Sequence, residues 1–330
     1  ILTIRLSSVL TRRELIRHWG FKYIFMYELI IIGGGPAGVA AGVYAARKKI
    51  NTLFLTKDFG GQSLVSAGIK NWIGVKDISG FELAKNLESH LRDQEDIEIK
   101  DNVFVSKIEK QGEVISVFTD KGDKFETKTI LLTAGSRHKR LNVPGEDKYD
   151  GKGVFYCSTC DAPLMKNKTT AVVGGGNSGF EAAMDLLPYA NKIYILEYTE
   201  ECKADSVTCD KVRASGKSQE ITMAEVKEIF GDEFVKGIRY QNRKTGEMKE
   251  LSVEGVFVEI GFQPNSESVK DLIDLDKYGR IIIDQKTQKT SSEGIWAAGD
   301  VTDVLYNQNN IAAGDAIKAV LNIYDYLKIK

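Results

Sequence analysis

The sequence has few cysteines, few histidines, a nearly balanced charge and no long apolar run. Its 330 residues include 4 cysteines and 3 histidines, too few for a disulfide-stapled scaffold. Lys and Arg together number 45, and Asp and Glu 46, so no positive excess favours a nucleic-acid partner. No apolar run approaches the roughly 20 residues of a membrane-spanning helix. We therefore expect a cytoplasmic protein without a nucleic-acid or membrane partner, long enough for two domains.

Residues 1–25 are unlike the rest of the chain. They carry five basic side chains against a single acid, Glu14, a composition that loosely resembles an organellar transit peptide. The alternative is a misplaced start, with the native chain beginning at Met26. We favour the misplaced start and expect 1–25 to be a non-native or disordered extension outside the fold.

Two strand–glycine–helix units dominate the remaining sequence. In the first, the short strand-like run 27–32 precedes a glycine turn and an alanine-rich helical stretch. In the second, the run 169–173 precedes a similar turn and the helical stretch 180–187. The turns are Gly33-Gly34-Gly35-Pro36-Ala37-Gly38 and Gly174-Gly175-Gly176-Asn177-Ser178-Gly179.

Both turns have the GxGxxG spacing of a dinucleotide fingerprint. The first glycine permits a tight turn, the second lets the backbone approach a pyrophosphate, and the third lets the helix pack closely on the strand. The helix N-terminus adds free N–H groups and partial positive charge. One GxGxxG is a weak signal. Two in this context predict two Rossmann-like units that bind two nucleotides face to face, rather than two turns without ligand.

An acidic residue distinguishes the two units. Glu197 directly follows the predicted strand 192–196 and lies 23 residues after Gly174. This spacing is close to the roughly 20 residues expected for a carboxylate that accepts from the adenosine ribose. Because a carboxylate there repels a 2′-phosphate, we predict NADH rather than NADPH; the alternative is a solvated acid at a strand end. The first unit has no matching acid, since Lys57 follows its second strand and Asp58 comes late.

A third nucleotide signal lies near the C-terminus. The apolar run 294–298 ends in Gly299-Asp300. Asp300 can accept from a ribityl hydroxyl, while Gly299 lets the backbone approach a flavin pyrophosphate. The following helix, expected from Ala312 onward, would direct its N-terminus at the isoalloxazine. The flavin unit is thus predicted to combine both ends of the chain.

A Cys-x-x-Cys motif, Cys157 to Cys160, lies just before the second unit. Two cysteines at this spacing can form a reducible disulfide, and the pairing lowers one thiol pKa. The alternative is half of a zinc site, which needs a second suitable pair. Cys202 and Cys209 lie in a charged segment without histidine, and we interpret them as ordinary thiols. We therefore predict a redox pair and no metal.

Asp161 directly follows the pair. Thiol–disulfide exchange leaves a thiolate that must be protonated. A carboxyl group whose pKa is raised by burial beside a thiol can act as acid and base. We favour this catalytic role over the alternative of a helix-capping aspartate.

From Met26 to Lys330 the sequence resembles the low-molecular-weight thioredoxin reductases. The blocks that begin at Cys160, Gly174 and Leu196 are similar to the reductase core of the flavoprotein subunit of alkyl hydroperoxide reductase, and we expect no N-terminal thioredoxin-like module. The motifs that carry the resemblance are the two fingerprints, Gly60-Gly61-Gln62, Thr133-Ala134-Gly135, Cys157-Ser158-Thr159-Cys160-Asp161 and Gly299-Asp300.

The resemblance implies an α/β fold of two Rossmann-like, three-layer (ββα) domains. An FAD domain, 26–138 and 265–330, would be split by an inserted NAD(P)H domain, 139–264, that carries the cysteine pair. It also implies a homodimer, two alternating domain orientations, a Cys160 that faces the flavin and a Cys157 that attacks the partner disulfide. The expected FAD contacts are Gly33, Gly35, Pro36, Ala37, Gly38, Gly61, Gln62, Ala134, Gly135, Gly299, Asp300 and Gln308. The expected NAD(P)H contacts are Gly174, Gly176, Asn177, Ser178, Gly179 and Glu197.

The sequence departs from the family pattern at four places. NADPH-specific members carry His-Arg-Arg where this chain has Glu197-Tyr198-Thr199, which again favours NADH. The Asp-Gly after the redox pair is replaced by Asp161-Ala162-Pro163, which leaves the local geometry open. An Arg-Gln pair near the flavin is replaced by Asn307-Gln308, and 211–225 shows no clear strand.

Together these features predict an FAD-dependent thioredoxin-disulfide reductase. Electrons would pass from NAD(P)H, with NADH favoured, through FAD to the Cys157–Cys160 disulfide and on to a thioredoxin-like protein. One alternative is a reductase that feeds a peroxiredoxin- or glutaredoxin-like partner. Another is a flavin oxidoreductase of the ferredoxin–NAD(P) reductase kind, which lacks the CxxC. The third is a redox sensor that binds both nucleotides without turnover.

Overall fold

The computed structural model describes residues 26–66 and 68–329, so the extension 1–25 lies outside the described residues. The alternation of strands and helices confirms the predicted α/β class, with one Rossmann-like unit inserted into another. Within the described ranges, no helix combines the length and the apolar character needed to cross a bilayer.

The helices are α1 (Pro36–Arg47), α2 (Gly80–Arg92), α3 (Ser158–Asp161), α4 (Asn177–Leu186), α5 (Ser206–Ala214) and α6 (Asn309–Ile329). The strands are β1 (Met26–Ile32), β2 (Thr52–Leu55), β3 (Ile97–Lys100), β4 (Val105–Gln111), β5 (Val114–Thr119), β6 (Lys124–Leu132), β7 (Ser136–His138), β8 (Val154–Phe155), β9 (Thr169–Val173), β10 (Lys192–Leu196), β11 (Ser218–Ile221), β12 (Ala224–Gly231), β13 (Val235–Asn242), β14 (Met248–Ser252), β15 (Gly255–Val258), β16 (Phe262–Pro264) and β17 (Ile295–Ala297).

The first sheet is built from both ends of the chain. β1 lies between β2 and β6 in parallel, β3 lies outside β2, and β5 and β4 continue antiparallel beyond β6. The first half of β6 pairs with β5, whereas its last residues pair in parallel with β17. Leu29, Ile30 and Ile31 of β1 are fully buried. Because a covered parallel strand needs apolar side chains on both faces, this unbroken run occupies the centre of the sheet.

Helices α1 and α6 cover one face of the first sheet and pack against each other. Small residues let α1 approach its neighbours closely: a Cβ at Gly42 would lie 2.5 Å from Leu91 Cδ1 of α2. Pro36 stands in the first turn of α1, where a missing N–H costs no helical hydrogen bond. The N-terminus of α1 is thereby held at the carboxyl end of β1.

The second unit has three layers. Its central sheet is parallel, in the order β11-β10-β9-β15-β8. Side-chain alternation along β15 places Val256 and Val258 in the core under the antiparallel sheet β12-β13-β14. Phe257 points to the opposite core, under α4 and α5. This is the predicted ββα layering.

The expectation that 211–225 contains no clear strand is wrong. α5 ends at Ala214, β11 pairs in parallel with β10, and β12 begins at Ala224. β11 is an edge strand of mostly polar, half-buried residues, so it lacks the apolar run or alternation by which a strand is recognised in a sequence.

A narrow ribbon joins the two units. β7 pairs antiparallel with β16, so that Ser136 lies opposite Pro264 and His138 opposite Phe262. The His138 and Phe262 rings lie 4.5 Å apart between centroids, and burial lowers the pKa of His138. The chain therefore enters and leaves the second unit through two adjacent strands.

Candidate functional site

A cavity of about 820 Å³ opens at the carboxyl ends of β1, β6 and β17, the edge of a parallel sheet where nucleotides bind. The glycine turn after β1 forms one wall, and the turn after β17 forms another. Ten of the residues expected to contact FAD line it: Gly33, Gly35, Pro36, Ala37, Gly61, Gln62, Ala134, Gly135, Gly299 and Asp300.

Two residues expected to contact FAD do not line this cavity. Gly38 lies beneath it, where an added Cβ would come within 1.8 Å of the Gly33 carbonyl oxygen, so its role is close helix packing. Gln308 and Asn307 line a neighbouring cavity of about 490 Å³, and Gln308 Oε1 accepts from the amide of Asn71 at 3.0 Å. The helix expected from Ala312 begins three residues earlier, at Asn309.

The glycine turn after β1 fits the pyrophosphate of FAD. Gly33 has φ +119°, and a Cβ there would lie 2.4 Å from the Thr133 carbonyl oxygen. A Cβ at Gly35 would meet nothing within 4 Å, so the backbone is open to the cavity. α1 begins without a side-chain cap, which leaves its first N–H groups for phosphate oxygens. The cavity volume also lies in the range of cofactor pockets.

Asp300 is a largely buried carboxyl group in the cavity wall. Burial raises its pKa, and a hydrogen bond from Asn307 acts in the opposite direction. Gly299 has φ +78°, and a Cβ there would press on the Cβ atoms of Ala37 and Ala312, each at 3.3 Å. The turn therefore joins α1, α6 and a carboxyl group that can accept from a polyol.

The sequence did not predict a cluster of polar side chains in the cavity wall near the ribbon. Arg137 donates to Asn265 Oδ1 and to Glu267 Oε1, both at 2.5 Å, and Asn265 Nδ2 donates to the Ala134 carbonyl at 2.7 Å. Arg137 follows the Thr-Ala-Gly motif closely, which was an available signal. Asn265 and Glu267 reach the cavity only through the tertiary fold. Asp58, noted only as a late acid, also lies in the wall.

The second glycine turn repeats this geometry at the carboxyl end of β9. Gly174 has φ +123°, and a Cβ at Gly179 would lie 1.9 Å from the Gly174 carbonyl oxygen. α4 begins after Gly176 without a side-chain cap, and a Cβ at Gly176 would meet nothing within 4 Å. Asn177 Oδ1 accepts from a backbone N–H just before α5 at 2.9 Å, and Ser178 is half-buried in the first turn. The turn fits a second dinucleotide.

Glu197 lies beside this turn, directly after β10. Its Oε2 accepts from the Gly175 N–H at 2.7 Å, and its Oε1 accepts from the N–H and the hydroxyl of Thr199 at 2.8 and 2.7 Å. Burial alone would raise its pKa, but these hydrogen bonds and the charge of Lys203 hold the pKa below its usual value. Glu197 is therefore ionised at neutral pH and fixed against the glycine turn.

The cysteine pair lies at the start of α3, just after β8. Cys157 is the N-cap residue and Cys160 lies in the helix; both are half-buried, and no disulfide joins them. Burial, and then the hydrogen bond between the two thiols, raises the pKa of Cys157 to about 12. The expected lowering of a thiol pKa is therefore not found at Cys157. The hydroxyls of Ser158 and Thr159 donate to Asp185 Oδ2 at 2.8 and 3.2 Å and tie α3 to α4.

Asp161 is the last residue of α3. Burial raises its pKa, and its side chain makes no capping hydrogen bond to the following 3-10 helix, Ala162–Met165. Ala162, which replaces the glycine of the family pattern, is buried with φ −54°, so glycine is not required there. Pro163 suits the first turn of a helix because its missing N–H has no partner to lose.

The dithiol lies apart from the large cavity. Within the described ranges, every residue that lines the cavity lies before residue 138 or after residue 264. Gln62 Nε2 donates to the Ser136 carbonyl of the ribbon at 2.6 Å, so the cavity reaches the ribbon but not the second unit. In this orientation neither Cys157 nor Cys160 contributes to the cavity wall.

Cys202 and Cys209 lie in the second unit. Cys202 Sγ is 2.8 Å from the position of a Cβ added at Gly175, and burial, with Glu220, raises its pKa to about 12. Cys209 is buried in α5, and burial raises its pKa. Thiols with raised pKa values are poor nucleophiles. Among the residues that the structure describes, no three His, Cys, Asp or Glu side chains gather to hold a metal.

Known proteins resemble the chain over most of its length. The family model for pyridine nucleotide-disulphide oxidoreductases matches residues 27–316. The F component of alkyl hydroperoxide reductase from Staphylococcus aureus is 42% identical over 301 residues, which are 91% of this chain and 59% of that protein. A Bacillus subtilis protein named NADH dehydrogenase is 41% identical over 91% of this chain and 58% of its own length. Thioredoxin reductase of Lactococcus lactis, in a structure of its FR conformation, has a TM-score of 0.77 at 33% identity, covering 92% of this chain and 100% of that one.

Proposed function

Since the chain belongs to the pyridine nucleotide-disulphide oxidoreductase family, we propose that it reduces a protein disulfide with NADH, using the Cys157–Cys160 pair as its redox centre. The resemblance predicted from the motifs is confirmed, and FAD and NAD(P)H are the cofactors of this family. The main observation in support of the proposal is that the hydroxyls of Ser158 and Thr159 on α3 donate hydrogen bonds to Asp185 on α4. These hydrogen bonds join the CxxC to the helix that begins at the second glycine turn.

The first unit holds FAD, which when bound supplies the two-electron link between dinucleotide and disulfide. The turn from Gly33 to Ala37 and the N-terminus of α1 bind its pyrophosphate. Asp300 accepts from the ribityl chain. The turn Gly174–Gly179 binds the pyrophosphate of the dinucleotide in the same way.

NADH is the coenzyme proposed, because Glu197 stands where the adenosine ribose is recognised. Its ionised carboxylate accepts ribose hydroxyls and repels a 2′-phosphate. The name of the Bacillus subtilis relative, NADH dehydrogenase, supports the same coenzyme.

The two cysteines and Asp161 have different proposed roles in thiol–disulfide exchange. Cys160 would face the flavin once the two units have changed orientation, and Cys157 would attack the disulfide of the partner protein. With a raised pKa, the Cys157 thiol is a weak nucleophile until it loses its proton. Asp161, whose pKa is also raised and whose charge acts on Cys157, would receive that proton and return it.

The two units change orientation during turnover. We place the domain boundaries at the ribbon, with 26–138 and 265–330 in the FAD domain and 139–264 in the NAD(P)H domain. Since the cavity wall contains no residue of 139–264 in the described chain, a rotation about β7 and β16 is what brings Cys160 to the flavin.

A thioredoxin-like protein is the partner proposed, and the molecule acts as a homodimer. A peroxiredoxin-like partner is the second candidate, favoured by the 42% identity to the F component of alkyl hydroperoxide reductase. The chain spans 59% of the length of that relative, so the activity of the whole relative is not carried over.

An anaerobic reductive titration of the FAD-loaded protein tests the proposal. Uptake of about four electrons per flavin is expected, because flavin and disulfide each take two. Uptake of about two electrons per flavin would show that the cysteines do not exchange electrons with the flavin, and would indicate a plain flavin oxidoreductase.

A further inference from the structure

Glu259 occupies an unusual position, directly after β15 at the carboxyl edge of the second sheet. Val258 pairs with Val173 of β9, so Glu259 lies beside Gly174, and its carbonyl oxygen would be 2.2 Å from a Cβ on that glycine. On the other side, Phe257 pairs with Phe155 of β8. Continuing this register by two residues brings Glu259 level with Cys157.

The side chain of Glu259 faces α4. Phe257, two residues earlier on the same strand face, lies in the core under α4. Among the described residues, the charged groups that act on Glu259 are Asp185 and Glu181 of α4, and both are negative. Burial, then Asp185 and Glu181, raises the pKa of Glu259 to about 8. On neighbouring elements, α3 packs on α4 and carries the titratable Cys160 and Asp161, His138 ends β7, and the N–H of Lys139, directly after β7, donates to the Gly261 carbonyl.

The direction of the bound dinucleotide follows from the strand order. β10, which ends at Glu197, and β15, which ends at Glu259, lie on opposite sides of β9. A dinucleotide with its adenosine ribose on Glu197 and its pyrophosphate on the turn after β9 extends over the end of β15. Its nicotinamide half therefore reaches Glu259.

We propose that the Glu259 carboxylate faces the nicotinamide and favours its oxidised, cationic form, an inference that rests on the proposed function. Loss of hydride turns the neutral dihydronicotinamide into a pyridinium cation, while the hydride, with its two electrons, passes to the flavin. An ionised carboxylate nearby stabilises the cation and leaves the neutral ring almost unaffected. When it is ionised, Glu259 thus promotes release of hydride by a charge that acts on the product side of the step.

Proton linkage provides a test that does not depend on turnover. The probes are NAD⁺ and its neutral 1,4,5,6-tetrahydro analogue, which cannot donate hydride, titrated calorimetrically into the FAD-loaded full chain from pH 6 to pH 9. For the wild type, the Kd of NAD⁺ is expected to fall about tenfold as Glu259 ionises, while the Kd of the analogue stays constant.

Three variants separate charge from structure. Glu259→Gln is expected to bind NAD⁺ at every pH as weakly as the wild type does at pH 6, with unchanged affinity for the analogue. Glu259→Asp should restore the pH dependence. Glu200→Gln removes the same charge from an exposed position at the adenosine end and should keep the wild-type profile.

The outcomes distinguish the two proposals. If the wild type binds both probes with the same pH profile, or if Glu259→Gln keeps the tenfold change, the inference about Glu259 is overturned and the dinucleotide site stands. If the wild type binds neither probe, the proposed function itself fails, and the inference fails with it.

Discussion

The carboxylate of Glu197 has a structural role and, in the proposed function, a recognition role. It accepts from Gly175 and Thr199, and in the proposed function it lies where a 2′-phosphate would bind. Glu197→Arg replaces repulsion by a charge-assisted contact, so the ratio of kcat/KM for NADPH to that for NADH should rise about 10- to 100-fold. Glu200→Arg is the control, since it adds the same charge at an exposed neighbour. An unchanged coenzyme ratio in Glu197→Arg would contradict the assignment of Glu197 to the adenosine ribose.

The two thiols of the CxxC pair differ in their proposed tasks. Cys160→Ser leaves the dinucleotide and flavin sites intact, so reduction of FAD by NADH should keep its rate while turnover with a disulfide acceptor disappears. Stopped-flow absorbance of the flavin and steady-state disulfide reduction measure the two steps. Cys202→Ser, which changes a half-buried thiol outside the pair, should retain both. Disulfide turnover that survives in Cys160→Ser would contradict the assigned roles.

At the residue scale, the sequence was sufficient where one short segment supplies the geometry. A glycine turn, its strand and its helix are contiguous, so Gly33, Gly35 and their neighbours could be placed in a cavity from spacing alone. The contacts of Arg137 with Asn265 and Glu267 could not be predicted, because these residues come from β7 and from a segment about 130 residues later. Nothing local marks such a contact.

The hydrogen bonds from α3 to Asp185 hold α3 against α4. Asp185→Ala removes the acceptor for Ser158 and Thr159, and an α3 of one turn has little stability of its own. Transfer from flavin to disulfide should slow by roughly 3- to 10-fold, since misplacement of reacting groups is costly, while reduction of FAD by NADH is unchanged. Rapid mixing under anaerobic conditions resolves the two phases.

Asp185→Asn is the matched variant for this element. It retains a side-chain oxygen that accepts from both hydroxyls, so it should keep most of the transfer rate. Equal slowing in Asp185→Asn and Asp185→Ala would assign the effect to charge instead of the hydrogen bonds.

Elements were predictable when their own residues carried the signal. The buried strand β1 and the alanine-rich α1 show apolar and small-residue patterns that only a covered sheet and a closely packed helix require. β11 shows neither, because it is a polar edge strand held by its pairing with β10. α6 begins at Asn309 and not at Ala312, and such boundaries are set by tertiary contacts more than by local preference.

At the scale of the whole molecule, β17 closes the sheet that β1 begins. The second unit is therefore inserted through the β7–β16 ribbon without interrupting the first core. This architecture separates two requirements. In the proposed function, the flavin cavity stays intact while the unit that carries both the dinucleotide turn and the dithiol rotates about two strands. The motifs could predict the insertion, because the Gly299-Asp300 signal lies far from the first glycine turn, but not the orientation that the two units adopt.

The pH dependence of the stability of the whole molecule should depend on Glu259. Its pKa of about 8 in the folded chain exceeds the ordinary 4.5, so between these values the folded chain holds a proton that the unfolded chain has lost. Stability therefore falls as pH rises through this window, and the penalty, of the order of a few kcal/mol, is complete above pH 8. Glu259→Gln removes the penalty, so its Tm should equal that of the wild type near pH 4.5 and exceed it increasingly up to pH 9. Thermal unfolding followed by circular dichroism measures the difference, with Glu200→Gln as the control that gains nothing. A gap between Glu259→Gln and the wild type that does not widen with pH would show that Glu259 is already ionised in the folded chain.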